Sequence, residues 1–342
     1  MDGPAVELEA APLQRPAPDI SIVMSAYNER HWLPACIDAA LAQTHASFEF
    51  LIVDDASTDS SRALLGRYDD PRLVIICRDT RNGWLNNVNA LCAQAKGRLI
   101  KLMCPDDVMR PDCLERGWRF FCAHPEVGYI FTSHVDIDER GAPLETKPLF
   151  EGPPILSGAE ADRVSFLKGC LMSTSGLFVP RERWREAGGM RDLSRRNPDR
   201  WPNVEDYELM VRLQERHPVG FIDEPLVEIR RHTQQVLKNP IAKSIFVETD
   251  LKVVTMLAER LARSKVLSEA EVRDRIMSKV ADYMMTAAVF LRAGHWSTAR
   301  MIVAHVFRTV PVHRWGLAWT WRQLMPYLAR RARRLFAAGR HP

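Results

Sequence analysis

"ISIVMSAYNERHWLPACIDAALAQTHASFEFLIVDD", residues 20–55, decides the architecture. Two apolar, β-branched runs, 20–27 and 48–55, each end in small polar or acidic residues, the pattern of strands buried on both faces. Between them Leu33, Ile37, Ala40 and Leu41 recur at helical spacing, so the order is strand, helix, strand. Such a unit closes by a right-handed crossover and makes its two strands parallel. The plan repeats outward. Ser57, Thr58 and Asp59 read as the cap of a helix reaching Tyr68, and residues 72–79 are the third strand. "NNVNALCAQAKG" (86–97) is a helix closed by Gly97, and "RLIKLMC" (98–104) is the fourth strand. The expectation is an α/β fold with a parallel sheet between helices.

Beyond Arg110 the spacing predicts a helix over 111–124, a strand over 127–138 and a Gly- and Pro-rich loop to about Ser157. "GLFVPRERWREAGGM" (176–190) follows, then a helix over 205–217 with Leu209, Val211 and Leu213 towards its buried side. Past Asn239 the sequence turns helical, and 278–294 and 296–310 read as a hairpin of helices joined at Gly294-His295. Three segments are expected: a disordered leader over 1–19, the α/β domain over 20–240, and a C-terminal helical region over 241–342.

The chain has 342 residues, 46% of them hydrophobic, enough for one large core with an appended unit. Its formal charge of +4 is uneven: ten arginines and no acid follow Asp282, leaving −6 on residues 1–282. Seven cysteines, without a C-x-x-C pair, argue against a disulfide framework or a zinc knuckle and for a reducing cytoplasm. The acidic, proline-rich start lacks the basic and apolar stretches of a signal peptide. No apolar run approaches the roughly 18 residues that span a bilayer.

In an open parallel sheet, ligands bind beyond the carboxyl ends of the strands. Asp54 and Asp55 close the second strand there, and Asp106 and Asp107 follow the fourth. Clustered carboxylates repel one another and resist desolvation unless a cation or donor sits among them. A divalent ion, with phosphate oxygens and water as its other ligands, answers both problems. The alternative is that Asp106 caps the following turn and Asp107 is solvated.

"ISIVMSAYNER", "FLIVDDASTDSS", "NGWLNNVNALCAQAKGRLIKLMCPDDVMRPDCLE", "VEDYELMVRL" and "PLVEIRRHTQQ" resemble, in order and spacing, the successive motifs of the family 2 inverting glycosyltransferases. The resemblance covers roughly residues 20–235, about two thirds of the chain. It implies a GT-A fold: a mostly parallel sheet flanked by helices, with a Rossmann-like nucleotide-binding half, here followed by a C-terminal helical extension. It also implies a nucleotide site formed by Ala26, Tyr27, Glu29, Asp54, Asp55, Gly83 and Asp106. Tyr27 stacks on a base or else packs under the first helix; Asn82, Asn86 and Asn89 are weaker wall candidates. Ser25 stands where the family usually has proline.

The resemblance further implies Mg²⁺ or Mn²⁺ held by Asp106 with His232, Asp107 supporting the donor sugar or a metal-bound water, and Arg231 supporting the donor by neutralising the charge of the leaving diphosphate. Arg230 is an equal candidate for neutralising that charge. Where the family's acidic motif usually opens with aspartate this chain has Cys104, which removes one charge and is a poor ligand for a hard cation. Asp206 matches the general base, with Glu205 beside it; two acids at a helix start also complement the helix dipole without any catalytic role. His232 is either a metal ligand or a surface polar residue.

The function implied is transfer of a sugar from a nucleoside-diphosphate donor, UDP- or dTDP-linked, to a glycan or lipid-linked hydroxyl in polysaccharide, lipopolysaccharide or glycolipid synthesis. Two alternatives stand beside it. One is a sugar nucleotidyltransferase, although "SAYNER" lacks the glycine-rich loop such enzymes carry. The other is a catalytically silent nucleotide- or glycan-binding scaffold, which Cys104 favours. A dehydrogenase is disfavoured because no G-x-G-x-x-G follows an early strand. Trp315, Trp319, Leu324, Leu328, Leu335 and Phe336 lie among arginines in the tail, 312–342. That composition fits a helix on an anionic membrane surface at the cytoplasmic face, or one packed on the domain; nucleic acid is the competing polyanion.

Overall fold

The computed structural model describes residues 17–144, 150–170, 173–195, 197, 202–309, 325, 326 and 328. The leader expected over 1–19 lies outside these apart from its last three residues. The tail over 312–342 lies outside them apart from Met325, Pro326 and Leu328.

The opening stretch folds as β1 (Ile20–Ala26), α1 (Leu33–Leu41) and β2 (Phe48–Asp54), followed by α2 (Ser61–Leu65), β3 (Leu73–Cys77), α3 (Trp84–Gln94) and β4 (Leu99–Leu102). Every residue of β1 and β2 is buried, which is why those runs carry no polar alternation. Ile20, Ile22 and Met24 pack against α1, while Val23 points to the other face, against α3. Burying each such side chain stabilises the fold by about 1.5–3 kcal/mol.

The chain continues as β5 (Val108–Met109), α4 (Cys113–Ala123), β6 (Tyr129–Ile137), β7 (Ile155–Leu156) and α5 (Gly158–Lys168). A 3-10 turn (Thr174–Gly176) leads into β8 (Leu177–Pro180), α6 (Arg181–Ala187), α7 (Glu205–Gln214) and β9 (Val219–Arg230). Three long helices follow: α8 (Pro240–Arg263), α9 (Glu269–Arg292) and α10 (Trp296–Thr309). Among the described residues the strands form one sheet in the order β3-β2-β1-β4-β8-β6-β9-β5, with β7 also on β9. Pairings from β3 through β4 are parallel, as expected. β8 is then inserted antiparallel between β4 and β6, and β6 pairs with β9 in parallel, making the sheet mixed.

Local chemistry sets the helix boundaries. Asn239 accepts from the Ile241 and Ala242 amides to start α8, with Pro240 at its first position. Ser157 with Glu160, and Ser268 with Glu271, form capping boxes on α5 and α9. The α9–α10 hairpin turns at Gly294, whose φ of 82° is one a side chain would strain. α8, α9 and α10 share one apolar core with α3, α5, α7 and one face of the sheet. One expectation is corrected: Ser57, Thr58 and Asp59 do not cap a helix. α2 begins at Ser61, and those three residues brace the neighbouring loop instead.

Candidate active site

The loops after β1 and β2 hold each other. Asn28 (φ 59°) and Ala56 (φ 60°) both sit in the left-handed region. Asn28 tolerates it because its side chain is tied locally, with Oδ1 accepting from the Thr58 amide at 2.8 Å and the Asp59 amide at 3.3 Å. Ser57 Oγ accepts from the Asn28 amide (3.0 Å) and Ser61 Oγ from the Glu29 amide (2.9 Å). Tyr27 and Glu29 are thereby fixed at the end of β1, just past the buried Ala26. Burial first, and then the charges of Asp106, Asp59 and Asp107, push the Glu29 carboxyl up to about 8.

Asp54 is fully buried, and its Oδ2 receives Arg62 Nε at 3.1 Å and the Ser57 amide at 3.3 Å. Its Oδ1 is buried with no hydrogen-bond partner among the described residues. Asp55 accepts from the amides of Asn82 (2.7 Å) and Gly83 (3.0 Å). Burial opposes ionisation of Asp55, but those donors, the Asn87 amide and Arg81 overcome it and hold the carboxyl below its usual range. Gly83, at φ 83°, has the conformation that brings its N–H to Asp55. Arg81 covers one face of Tyr27 at 3.8 Å from the ring centre, so a ring stacking on Tyr27 must use the other face or displace the guanidinium.

The acidic motif follows β4. Ligand atoms of Cys104, Asp106 and Asp107 lie within 4.8 Å of one another. Asp106 Oδ2 is 3.0 Å from His232 Nε2, and the His232 ring lies 5.3 Å from Trp32. Arg230 stacks over Trp32 at 4.8 Å and donates to the carbonyl of Asp106 at 3.0 Å. Asp107 is buried, with one oxygen taking Ser175 Oγ (2.6 Å) and the other the Arg230 amide (3.0 Å). Beneath them Lys101 is fully buried; its ammonium donates to the Ser175 carbonyl and lies 4.2 Å from the centre of the Phe178 ring. Arg231 pairs with Asp136, Nη2 to Oδ1 at 2.7 Å, and acts on Asp107 through its charge, while Arg230 is the arginine hydrogen-bonded to the acidic motif.

The donor set fits a divalent cation. A carboxylate oxygen and an imidazole nitrogen already converge, and the remaining oxygens of the motif belong to Asp107, whose protein donors fix it. Burial raises the Cys104 thiol, and its soft sulfur is the poorest match of the three for a hard cation.

α7 supplies the third group. Glu205 is 2% exposed and accepts from the Asn203 amide at 2.7 Å. Burial, with Asp206 and Asp192 adding to it, pushes its carboxyl up to about 8. Asp206, partly exposed, accepts Thr174 Oγ1 at 2.6 Å and its neighbour's amide, Tyr207 N, at 2.8 Å. Burial raises its carboxyl as well, against those two donors. The helix is locked in place by Tyr207 Oη on the Ser165 carbonyl (3.0 Å) and by Arg212 on the Gly189 carbonyl (2.6 Å).

No motif in the sequence marks the turn residues that join these groups. Thr174 donates to Asp206 and the adjacent Ser175 to Asp107, so two successive hydroxyls link α7 to the acidic motif. The signal present was small: three hydroxyl residues, Ser173, Thr174 and Ser175, directly before a buried run.

Glu205 gives a stability prediction. Folded, it holds its proton to about 8; unfolded, it loses it near the ordinary value of 4.5. Between these the folded state binds more protons, so stability falls as pH rises, by on the order of a few kcal/mol. Glu205→Gln removes that slope. Melting curves should nearly coincide at pH 5, with the variant melting higher at pH 9; parallel curves at both would refute the assignment.

Residues 21–167 match the model of a family described as glycosyl transferase family 2. A succinoglycan biosynthesis protein, ExoO, of Rhizobium meliloti is 38% identical over 99 residues, 29% of this chain and 28% of that protein. WfgD of Escherichia coli, a UDP-Glc:alpha-D-GlcNAc-diphosphoundecaprenol beta-1,3-glucosyltransferase, is 32% identical over 96 residues, 28% of this chain and 38% of that protein. The matches thus span well under two thirds of these curated relatives. Among solved structures, residues 1–349 of TarS from S. aureus, crystallised with UDP-GlcNAc, superpose with a TM-score of 0.64. That match is 13% identical and covers 91% of this chain and 89% of the other, a likeness of fold.

Proposed function

We propose that this chain, which carries a family 2 glycosyltransferase domain over residues 21–167, transfers a sugar from a nucleoside-diphosphate donor to a hydroxyl acceptor with inversion, in the assembly of a cell-envelope polysaccharide or glycolipid. The observation that carries this reading is the pairing of Asp106 with His232 beyond the end of β4, with Thr174 and Ser175 tying Asp206 on α7 to the same acidic motif.

The donor nucleotide lies across the ends of β1, β2 and β4. Asp54 Oδ1, buried and unpaired, is suited to accept a base N–H, and Asp55 holds the 81–83 wall against it. Asp106 and His232 would hold Mg²⁺ or Mn²⁺, which when bound supplies positive charge to the diphosphate. Arg230 fixes the backbone of the acidic motif and adds to that charge. Glu205 keeps its proton up to about 8, so Asp206 is the member of the pair that accepts one at neutral pH. The acceptor oxygen attacks the anomeric carbon while its proton passes to Asp206. The bond from that carbon to the diphosphate breaks, its electron pair leaving on the diphosphate oxygen.

UDP-linked sugars are the favoured donors, in line with the nucleotide named for WfgD and the ligand of the TarS crystals. The test is release of UDP from UDP-glucose and UDP-GlcNAc, with and without Mn²⁺, with GlcNAc-diphosphoundecaprenol as acceptor. No release from any donor would favour the silent scaffold.

No helix among the described residues is long and apolar enough to cross a membrane. On the same reading the protein works at the cytoplasmic face of the membrane. The arginine-rich tail 312–342, with no acid after Asp282, then binds anionic lipid. Removing it should release the protein from anionic liposomes. High salt should weaken binding, because the attraction is screened over about 10 Å at 0.1 M. Equal sedimentation of full-length and truncated protein would reject the assignment.

A further inference from the structure

We infer that Thr174 is a positioning residue for the base: its hydroxyl sets the orientation and charge state of Asp206, and Ser175 anchors it to the acidic motif. The inference rests on the reading of Asp206 as the proton acceptor. Thr174 Oγ1 donates to Asp206 Oδ2 at 2.6 Å, a length typical of donation to a charged oxygen. Together with the Tyr207 amide on Oδ1, it fixes the plane of the carboxylate and leaves each oxygen a further lone pair for the acceptor's proton.

The turn that carries Thr174 is held on both sides by side-chain hydrogen bonds. Ser173 Oγ accepts from the Gly176 amide at 3.1 Å. Ser175 is fully buried; it donates to Asp107 Oδ2 at 2.6 Å, accepts from the Cys104 amide at 2.9 Å, and its carbonyl receives the Lys101 ammonium. A cation and a carboxylate from β4 and its following loop thus grip one residue, and the next hydroxyl along the chain is delivered to the base. Among the described residues the titratable groups in electrostatic contact with Asp206 are Cys104, from that loop, and Glu205 beside it, on which Asp192 also acts. Neither Cys104 nor Glu205 donates a hydrogen bond to Asp206 among the described contacts, so the hydroxyl is the side-chain group that stabilises its charge.

Thr174→Val keeps the shape and removes the donor. The lost hydrogen bond to a charged group should lower kcat about tenfold. It should raise the acid limb of the kcat–pH profile by about one unit, since the carboxylate loses a donor that favours its ionised form. Affinity for UDP-GlcNAc, measured by calorimetry, should stay at the wild-type value, and Thr174→Ser should restore both rate and profile. Thr174→Ala is run alongside in case valine disturbs the turn. The same shift is read without turnover by NMR titration of protein labelled at the aspartate carboxyl carbons, with Asp206 assigned from the Asp206→Asn spectrum.

An acid limb and a carboxyl titration that stay at their wild-type positions in Thr174→Val and Thr174→Ala overturn the inference, whatever the rate does. Asp206→Asn separates the two readings. If it loses transfer while the Thr174 variants titrate like wild type, the positioning role alone fails; if it keeps transfer, the base assignment fails and the positioning role goes with it.

Discussion

Asp206→Asn is expected to transfer sugar about 10² to 10⁴ times more slowly than wild type while binding the donor as tightly, the usual worth of a general base removed from an otherwise intact site. The geometry makes the separation sharp. Asp206 is held by Thr174 and by its neighbour's amide, not by the acidic motif, and asparagine keeps the size and one acceptor oxygen. Calorimetry with UDP-GlcNAc and UDP release with a lipid-linked acceptor report the two halves independently. Donor binding lost together with turnover would mean that Asp206 holds the site together instead of taking the proton. Turnover near wild type would move the role to Glu205, which is protonated up to about 8 and so would act only in alkaline solution.

Asp106→Asn acts on the other half. The acidic motif opens with Cys104, a soft sulfur, and Asp107 is buried and held by Ser175 and Arg230. Asp106, partly exposed and 3.0 Å from His232, is the carboxylate of the motif best placed to meet a metal. Its loss should abolish the Mn²⁺-dependent part of donor binding, a larger effect than the roughly 10- to 100-fold cost of losing an outer-shell partner. The fold should survive, because the Asp106 side chain is partly exposed and asparagine keeps the backbone carbonyl that takes Arg230. Donor binding that responds to Mn²⁺ as in wild type would remove Asp106 from the role.

How much of this could be read from the sequence differs from element to element. β1 and β2 were legible because burial on both faces leaves an unbroken apolar run. β9 was not: Asp223, Glu224, Pro225 and Glu228 interrupt its apolar residues, and the register against β6 shifts at Ser133, opposite Pro225. Asp106, Asp206 and His232 could be placed by motif order alone. Thr174 and Ser175 could not, since single hydroxyls carry no motif and their partners lie 32 and 68 positions away. The engagement of Asp54 and Asp55 by protein donors was likewise invisible. It depends on the left-handed residues Asn28 and Ala56 and on Gly83, that is, on loop conformation more than on composition. Lys101 illustrates the same limit: in the sequence it interrupts an apolar strand, and only the fold reveals a buried cation under the acidic motif.

The central claim is a single displacement at the anomeric carbon, with Asp206 taking the acceptor's proton on the face opposite the departing diphosphate. The anomeric configuration of the product, read by proton NMR after transfer from an α-linked UDP-sugar, tests it most directly. A β-linked product formed by wild type, and formed far more slowly by Asp206→Asn, is the predicted result; an α-linked product would contradict the account.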